Sequence, residues 1–99
     1  MWQKGAKVSD IQESGAKSVV TGGKEAALFK LEGKIYALEN ICPHRGGPLG
    51  EGSLEGSEVT CPWHAWTFDV KTGICQTVPD VKQPQVKVKT DGDDILLDA

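Results

Sequence analysis

This chain is built around two short segments, CPHRGGPL at residues 42–49 and CPWHAWTF at residues 61–68. Each segment places one cysteine close to one histidine, which gives the four candidate ligands Cys42, His44, Cys61 and His64. Thiolate sulfur and imidazole nitrogen are groups that bind zinc and iron. The chain has two histidines in all, and both lie beside a cysteine in this way. The two segments therefore predict a metal site with two cysteine and two histidine ligands.

This ligand set suits either a single tetrahedral zinc ion or an iron–sulfur cluster. Structural zinc sites commonly pair Cys-x2–4-Cys with His-x3–5-His, or repeat Cys-x2-Cys. Here each segment mixes the two ligand types, which favours one half-site per loop and hence a cluster of two irons. Zinc stays open as an alternative, and so does a small β domain with buried thiols and incidental histidines.

The Cys-x-His and Cys-x-x-His pair resembles the Rieske family, whose [2Fe–2S] centre has two histidines in place of two cysteines on one iron. By this resemblance, Cys42 and Cys61 would hold the inner iron, and His44 and His64 would hold the outer iron near the protein surface. The resemblance implies one [2Fe–2S] cluster per chain, outer-sphere electron transfer and no catalytic residue.

The same resemblance gives an expectation for the reduction potential of the cluster. High-potential relatives in respiratory complexes carry a disulfide between the two loops and two hydroxyl donors near the cluster. At the matching positions this chain has Gly47 and Trp63 for the cysteines, and Trp66 and Phe68 for the serine and tyrosine. We therefore expect a potential toward the low end of the range of about −150 to +300 mV known for Rieske centres.

Length and composition limit the other possibilities. The 99 residues are expected to form one domain, 1–99, with 38% hydrophobic and 25% charged residues. A net charge of −3 and a pI near 5.3 argue against nucleic acid as a partner, because phosphate binding requires a basic patch. The sequence contains neither a membrane span nor a signal peptide, so a cytoplasmic location is expected.

The third cysteine, Cys75, matches no cluster ligand position. An odd number of cysteines cannot form a closed disulfide set, which agrees with a reducing compartment. We interpret Cys75 as a small, half-buried hydrophobic residue in a strand that follows the second loop.

Outside the two ligand segments, short alternating stretches are separated by turn signals, which predicts an all-β sandwich or barrel. The Rieske resemblance implies the same architecture, with a small cluster-binding subdomain at about residues 41–68. Hairpins are predicted at five turns: Gly22-Gly23, Glu32-Gly33, Gly56, residues 71–73 and residues 91–93. Strands are expected at residues 74–78 and 85–89, and the loop between Pro79 and Pro84 is expected to lie beside the cluster.

Three functions are compatible with these observations. The first is a Rieske-type ferredoxin, a monomer that passes single electrons from a flavin-dependent reductase to a terminal oxygenase of the aromatic-ring dioxygenase type. The second is the small subunit of an assimilatory nitrite reductase, and the third is a zinc-stabilised scaffold without redox function. A complete Rieske oxygenase is excluded, because 99 residues leave no room for a mononuclear iron domain.

Overall fold

The computed structural model describes residues 2–40, 48–62 and 66–98. Nine strands occur within these ranges: β1 (Trp2–Lys7), β2 (Ala16–Thr21), β3 (Lys24–Leu31), β4 (Lys34–Glu39), β5 (Ser53–Glu55), β6 (Glu58–Thr60), β7 (Thr67–Asp69), β8 (Val88–Asp91) and β9 (Asp94–Asp98). They form three antiparallel sheets in the orders β1-β9-β8, β2-β3-β4 and β5-β6-β7. The predicted all-β class is confirmed.

The sheet β2-β3-β4 is a meander joined by two tight turns. Gly22 and Gly23 have φ of 60° and 80°, and Glu32 and Gly33 have φ of 53° and 76°. Positive φ at both central residues matches the right-handed twist of the flanking strands, which is why such turns join hairpins. Both hairpins predicted at these positions are confirmed.

β3 lies between two hydrophobic clusters and is buried on both faces. Alternate residues of β3 belong to different clusters. Residues 26–29 are therefore all apolar, because both faces of the strand are buried. We call the first cluster the ligand-side core: Ala27, Phe29, Leu31, Leu38, Leu49, Val59, Cys61, Phe68, Val70 and Cys75. The second cluster is formed by Ala6, Ile11, Val19, Ala26, Leu28, Ala37, Val86, Ile95 and Leu97.

The terminal hairpin pairs β8 with β9, and β1 adds to the outer side of β9. Gly92, with φ of 61°, lies in the predicted turn. The strand before this turn begins at Val88, whereas the alternating pattern predicted a start at Gln85. Gln85 and Val86 instead contact β4, through a bridge between Leu38 and Gln85 and a hydrogen bond from Val86 N to Ala37 O at 3.0 Å.

The small sheet β5-β6-β7 turns at Gly56 as predicted. The strand predicted for residues 74–78 is wrong in extent, because Ile74 and Cys75 form only isolated bridges. Gln76 N still donates to Thr67 O at 2.7 Å. The Thr67 N–H, however, bonds the Thr77 hydroxyl at 3.1 Å, so a side chain replaces the backbone acceptor and pairing stops.

The helical segments within the described ranges are 3₁₀ turns of three residues, at Val8–Asp10 and Leu49–Glu51. Neither comes near the length and apolar character that a membrane-crossing helix requires.

The Glu13 carboxylate accepts two hydrogen bonds from the turn between β3 and β4. This contact predicts how the stability of the fold depends on pH. The carboxylate accepts the N–H of Glu32 at 2.6 Å and of Gly33 at 3.0 Å, and these two bonds lower the pKa of Glu13 below its ordinary value. Ionised Glu13 therefore stabilises the fold above the unfolded-state pKa, and this contribution is lost as pH falls through the lower folded-state pKa.

We expect Glu13→Gln to lower the stability at about pH 6 and to differ less from wild type at about pH 3. Urea unfolding at both pH values measures this difference. Glu55→Gln, at an exposed position of β5, corrects for the loss of one negative charge. A stability difference for Glu13→Gln that is the same at both pH values contradicts the assignment.

Candidate metal centre

Of the four predicted ligands, the structure describes Cys61. Cys42, His44 and His64 lie outside the described residues, as do Gly47 and Trp63, so their predicted roles stay predictions. Within residues 2–40, 48–62 and 66–98, no three His, Cys, Asp or Glu side chains are grouped so as to hold a metal ion. The structure describes the residues on either side of residues 41–47 and of residues 63–65.

Cys61 directly follows β6 and is 1% exposed to solvent. Its N–H donates to the Trp66 carbonyl at 2.7 Å, which closes the second ligand segment at its base. The thiol is free and belongs to the ligand-side core. A free thiol at the start of a closed loop is available as a soft ligand, since iron–sulfur clusters are bound by cysteine thiolates.

The first ligand segment is closed in a similar way. Asn40, at the end of β4, accepts the N–H of Leu49 at its carbonyl oxygen at 2.8 Å. Its side-chain Oδ1 accepts the N–H of Gly50 at 2.8 Å and the hydroxyl of Ser18 at 3.1 Å. Asn40 is 5% exposed and Leu49 is fully buried in the ligand-side core. We call Asn40, Leu49 and Gly50 the loop base.

Glycine is required at position 50 of the loop base. A Cβ on Gly50 would lie 2.6 Å from the backbone nitrogen of Ser18 and 2.7 Å from its Cα. The close approach of this backbone to β2 allows the Gly50 N–H to reach the Asn40 side chain. The loop base is thereby attached to two strands, β2 and β4.

The segment between Pro79 and Pro84 packs against the end of β4. The Gln83 side chain is 1% exposed, and its Nε2 donates to the Glu39 carbonyl at 2.5 Å. The Glu39 N–H donates to the Pro84 carbonyl at 2.9 Å. Sequence reasoning expected this segment beside the cluster. The structure places it beside the residue that precedes the loop base.

Cys75 is fully buried in the ligand-side core, and its Sγ accepts the N–H of Val78 at 3.3 Å. The interpretation as a core residue is confirmed, although burial is complete where half-burial was expected. Trp66 is half-buried and packs against the same core, and Phe68 is fully buried within it. Sequence reasoning missed Asn40 and Gln83, since neither residue type indicates a role without its distant partners.

Comparison with known proteins decides the family. The model of the Rieske [2Fe–2S] domain matches residues 1–91. The chain belongs to the Rieske [2Fe–2S] family. Family membership implies a [2Fe–2S] cluster, and the buried free thiol of Cys61 fits such a cluster. The family match favours an iron–sulfur cluster over the zinc alternative.

Relatives within the Rieske family share nearly the whole chain. The ferredoxin component of the naphthalene 1,2-dioxygenase system of Pseudomonas putida is 41% identical over 91 residues, covering 89% of this chain and 88% of that protein. The ferredoxin of carbazole 1,9a-dioxygenase from Nocardioides aromaticivorans IC177 superposes with a TM-score of 0.89 at 27% identity, covering 98% and 96% of the two chains.

Two further solved structures correspond to the two electron-transfer functions considered above, an oxygenase ferredoxin and a nitrite reductase small subunit. A complex of reduced oxygenase and oxidised ferredoxin in carbazole 1,9a-dioxygenase contains a chain with a TM-score of 0.86 at 28% identity, covering 97% of this chain and 91% of that one. A chain described as a nitrite reductase small subunit from Mycobacterium tuberculosis superposes with a TM-score of 0.88 at 21% identity, covering 98% and 93%. The second likeness shows the Rieske fold alone.

Proposed function

We propose that Cys42, His44, Cys61 and His64 hold one [2Fe–2S] cluster per chain, with the cysteines on the inner iron and the histidines on the outer iron. The observation that carries this proposal is the position of the free thiol of Cys61 at the start of a segment that the Cys61 N–Trp66 O hydrogen bond closes. The other segment begins at a loop base whose Leu49 lies in the same ligand-side core. Two half-sites supported by one core can be held at constant separation.

The function that this site supports is single-electron transfer from a flavin-dependent reductase to a terminal oxygenase of the aromatic-ring dioxygenase type. The ferredoxin components among the relatives support this choice, since they match almost end to end at 41% identity. When bound, the cluster supplies a one-electron redox couple. The chain itself breaks no substrate bond, so it is an electron carrier and not an enzyme.

The residues of the chain have three tasks in this function. The four ligands bind the irons, the loop base and the Cys61–Trp66 hydrogen bond orient the ligand segments, and the ligand-side core excludes water from the inner side. Phe68 and Cys75, both fully buried, belong to that core. Such exclusion matters because solvent exposure is one of the factors that set the potential of an iron–sulfur cluster.

We further propose that the chain acts as a cytoplasmic monomer of one domain, 1–99, whose partners are proteins and not nucleic acid or membrane. The net charge of −3 supports protein partners over nucleic acid. The free thiols of Cys61 and Cys75 support a reducing compartment. A role as nitrite reductase small subunit is the second candidate. A carrier purifies alone and accepts electrons from a separate reductase, whereas a subunit co-purifies with a larger partner.

The test of the cluster is an electron paramagnetic resonance (EPR) spectrum of anaerobically purified, dithionite-reduced protein, with iron and sulfide analysis of the same sample. We expect a rhombic signal whose average g lies below that of an all-cysteine [2Fe–2S] ferredoxin, because two imidazoles replace two thiolates on one iron. A sample that contains zinc, lacks sulfide and is EPR-silent overturns the proposal.

The sequence also predicts the reduction potential of the cluster. Gly47, Trp63, Trp66 and Phe68 carry neither a loop-to-loop disulfide nor hydroxyl donors. Fewer hydrogen bonds to the cluster stabilise its reduced, more negative state less. We expect a midpoint near the low end of about −150 to +300 mV, measured by redox titration of the EPR signal. A midpoint above about +100 mV contradicts this prediction.

A further inference from the structure

The loop base has hydrogen bonds that connect the first ligand segment to the rest of the sheet. Residues 41–48 lie between Asn40 and Leu49, and this span contains Cys42 and His44. Asn40 accepts both of the hydrogen bonds that close this segment. Its backbone carbonyl accepts from Leu49 at 2.8 Å, and its side-chain oxygen accepts from Gly50 at 2.8 Å.

The environment of Asn40 leaves little room for another arrangement. The residue is 5% exposed, its N–H donates to Glu25 O at 3.3 Å, and its Oδ1 also accepts from the Ser18 hydroxyl at 3.1 Å. Gly50 is buried, so its N–H depends on a protein acceptor. An asparagine oxygen can accept both bonds at once, whereas alanine offers no acceptor to either donor.

We propose that Asn40 is a positioning residue for the cluster, which acts by holding the segment that carries Cys42 and His44 at a constant separation from Cys61. This inference rests on the ligand assignment proposed above. Within the second segment, Cys61 N donates to Trp66 O, and Thr67 N donates to the Thr77 hydroxyl in an exposed contact. In the first segment the corresponding contact is buried: Gly50 N donates to the Asn40 side chain, which also accepts from the Ser18 hydroxyl of β2.

Glu13 provides a matched control at the opposite end of β4. It too accepts two backbone N–H groups, from Glu32 and Gly33, and so holds a turn by the same type of contact. β4 runs from Lys34 beside that turn to Glu39 beside the loop base. At about 3.3 Å per residue, its length separates the two contacts by roughly 20 Å. A variant at Glu13 reports general loss of stability without a direct effect on the ligand segment.

The experiment compares holoprotein of wild type, Asn40→Ala and Glu13→Ala. Three quantities are measured: iron loss to a chelator, the EPR g values after reduction, and the thermal unfolding midpoint. We expect Asn40→Ala to lose iron up to about tenfold faster than wild type, the smallest effect typical of groups that bond a metal ligand directly, and to show shifted g values. Glu13→Ala should keep the wild-type g values and lose iron at close to the wild-type rate.

Equal iron loss and unchanged g values in Asn40→Ala and Glu13→Ala overturn the inference, because Asn40 then acts on stability alone. If Asn40→Ala does not fold, Ser18→Ala decides. This change removes one of the two donors to Asn40 Oδ1, and we expect iron loss about two- to threefold faster than wild type. A wild-type rate in Ser18→Ala overturns the inference. Failure of the ligand assignment itself is seen separately, as wild-type protein without iron, sulfide or an EPR signal.

Discussion

Cys61→Ala is expected to abolish cluster binding, with iron content falling below about a tenth of the wild-type value. Loss of an outer partner of a metal ligand commonly weakens binding by about 10–100-fold, and loss of a ligand itself should exceed that. Cys61 is 1% exposed, so the vacant position is not readily filled by water or an external thiol. Iron and sulfide analysis and the visible absorption of purified protein measure the effect.

Cys75→Ala is the matched control for this change. Cys75 is also a buried free thiol of the ligand-side core, and the two variants remove the same atom. Removing Sγ deprives the part-buried Val78 N–H of its acceptor, which should cost about 0.5–1.5 kcal/mol. We expect Cys75→Ala to be less stable than wild type and to keep its full iron content.

The pair of cysteine variants separates ligation from packing. Wild-type iron content in Cys61→Ala shows that Cys61 is not a ligand. Folded Cys75→Ala protein without iron places Cys75 in the metal site and overturns its interpretation as a core residue. Urea unfolding of both apoproteins provides the stability comparison, because the metal then contributes to neither variant.

Much of this fold could be predicted because its signals are local. The turns at Gly22-Gly23 and Gly56 are encoded by residues that tolerate positive φ, and the flanking strands by short apolar stretches. The signals for the candidate ligands are equally local, since Cys42 and Cys61 each have a histidine within the same segment, and this ligand set stays a prediction. Such features need no knowledge of distant contacts.

The parts that could not be predicted depend on contacts between residues far apart in the chain. Gln83 bonds Glu39 across 44 positions, and Asn40 bonds Ser18 across 22. Neither residue type carries a pattern that names its partner. The strand predicted at residues 74–78 failed for a related reason, because the Thr77 hydroxyl takes a hydrogen bond that the alternating pattern assigns to the backbone.

Gly73→Ala is expected to be among the most destabilising single changes in the described part of the chain. Gly73 has φ of 83°, and a Cβ there would clash with the Gln83 carbonyl oxygen. The left-handed conformation costs alanine roughly 1–2 kcal/mol, and insertion of a methyl group into packed structure adds about 1–3 kcal/mol. Thermal unfolding should show the loss, at about 4–8 °C per kcal/mol for a domain of this size.

Gly56→Ala separates these two contributions. Gly56 also has positive φ, 57°, and lies in a turn of the same small sheet, but no atom approaches its Cβ position within 4 Å. It should therefore show the conformational cost alone, and the difference between the two variants measures the steric contact with Gln83. Equal unfolding midpoints for Gly56→Ala and Gly73→Ala contradict the close packing of Gly73 against Gln83.

The Gly73 variant also tests how far the support of the ligand segment extends. Gln83 N donates to Gly73 O at 2.7 Å, and Gln83 Nε2 donates to Glu39 O, one residue before Asn40. A methyl group that displaces Gln83 must disturb the end of β4 through this connection. We expect Gly73→Ala holoprotein to release iron to a chelator faster than Gly56→Ala holoprotein at temperatures where both are folded. Equal release rates would show that Gly73 affects stability alone. The first ligand segment would then be supported by the loop base without a contribution from Gln83.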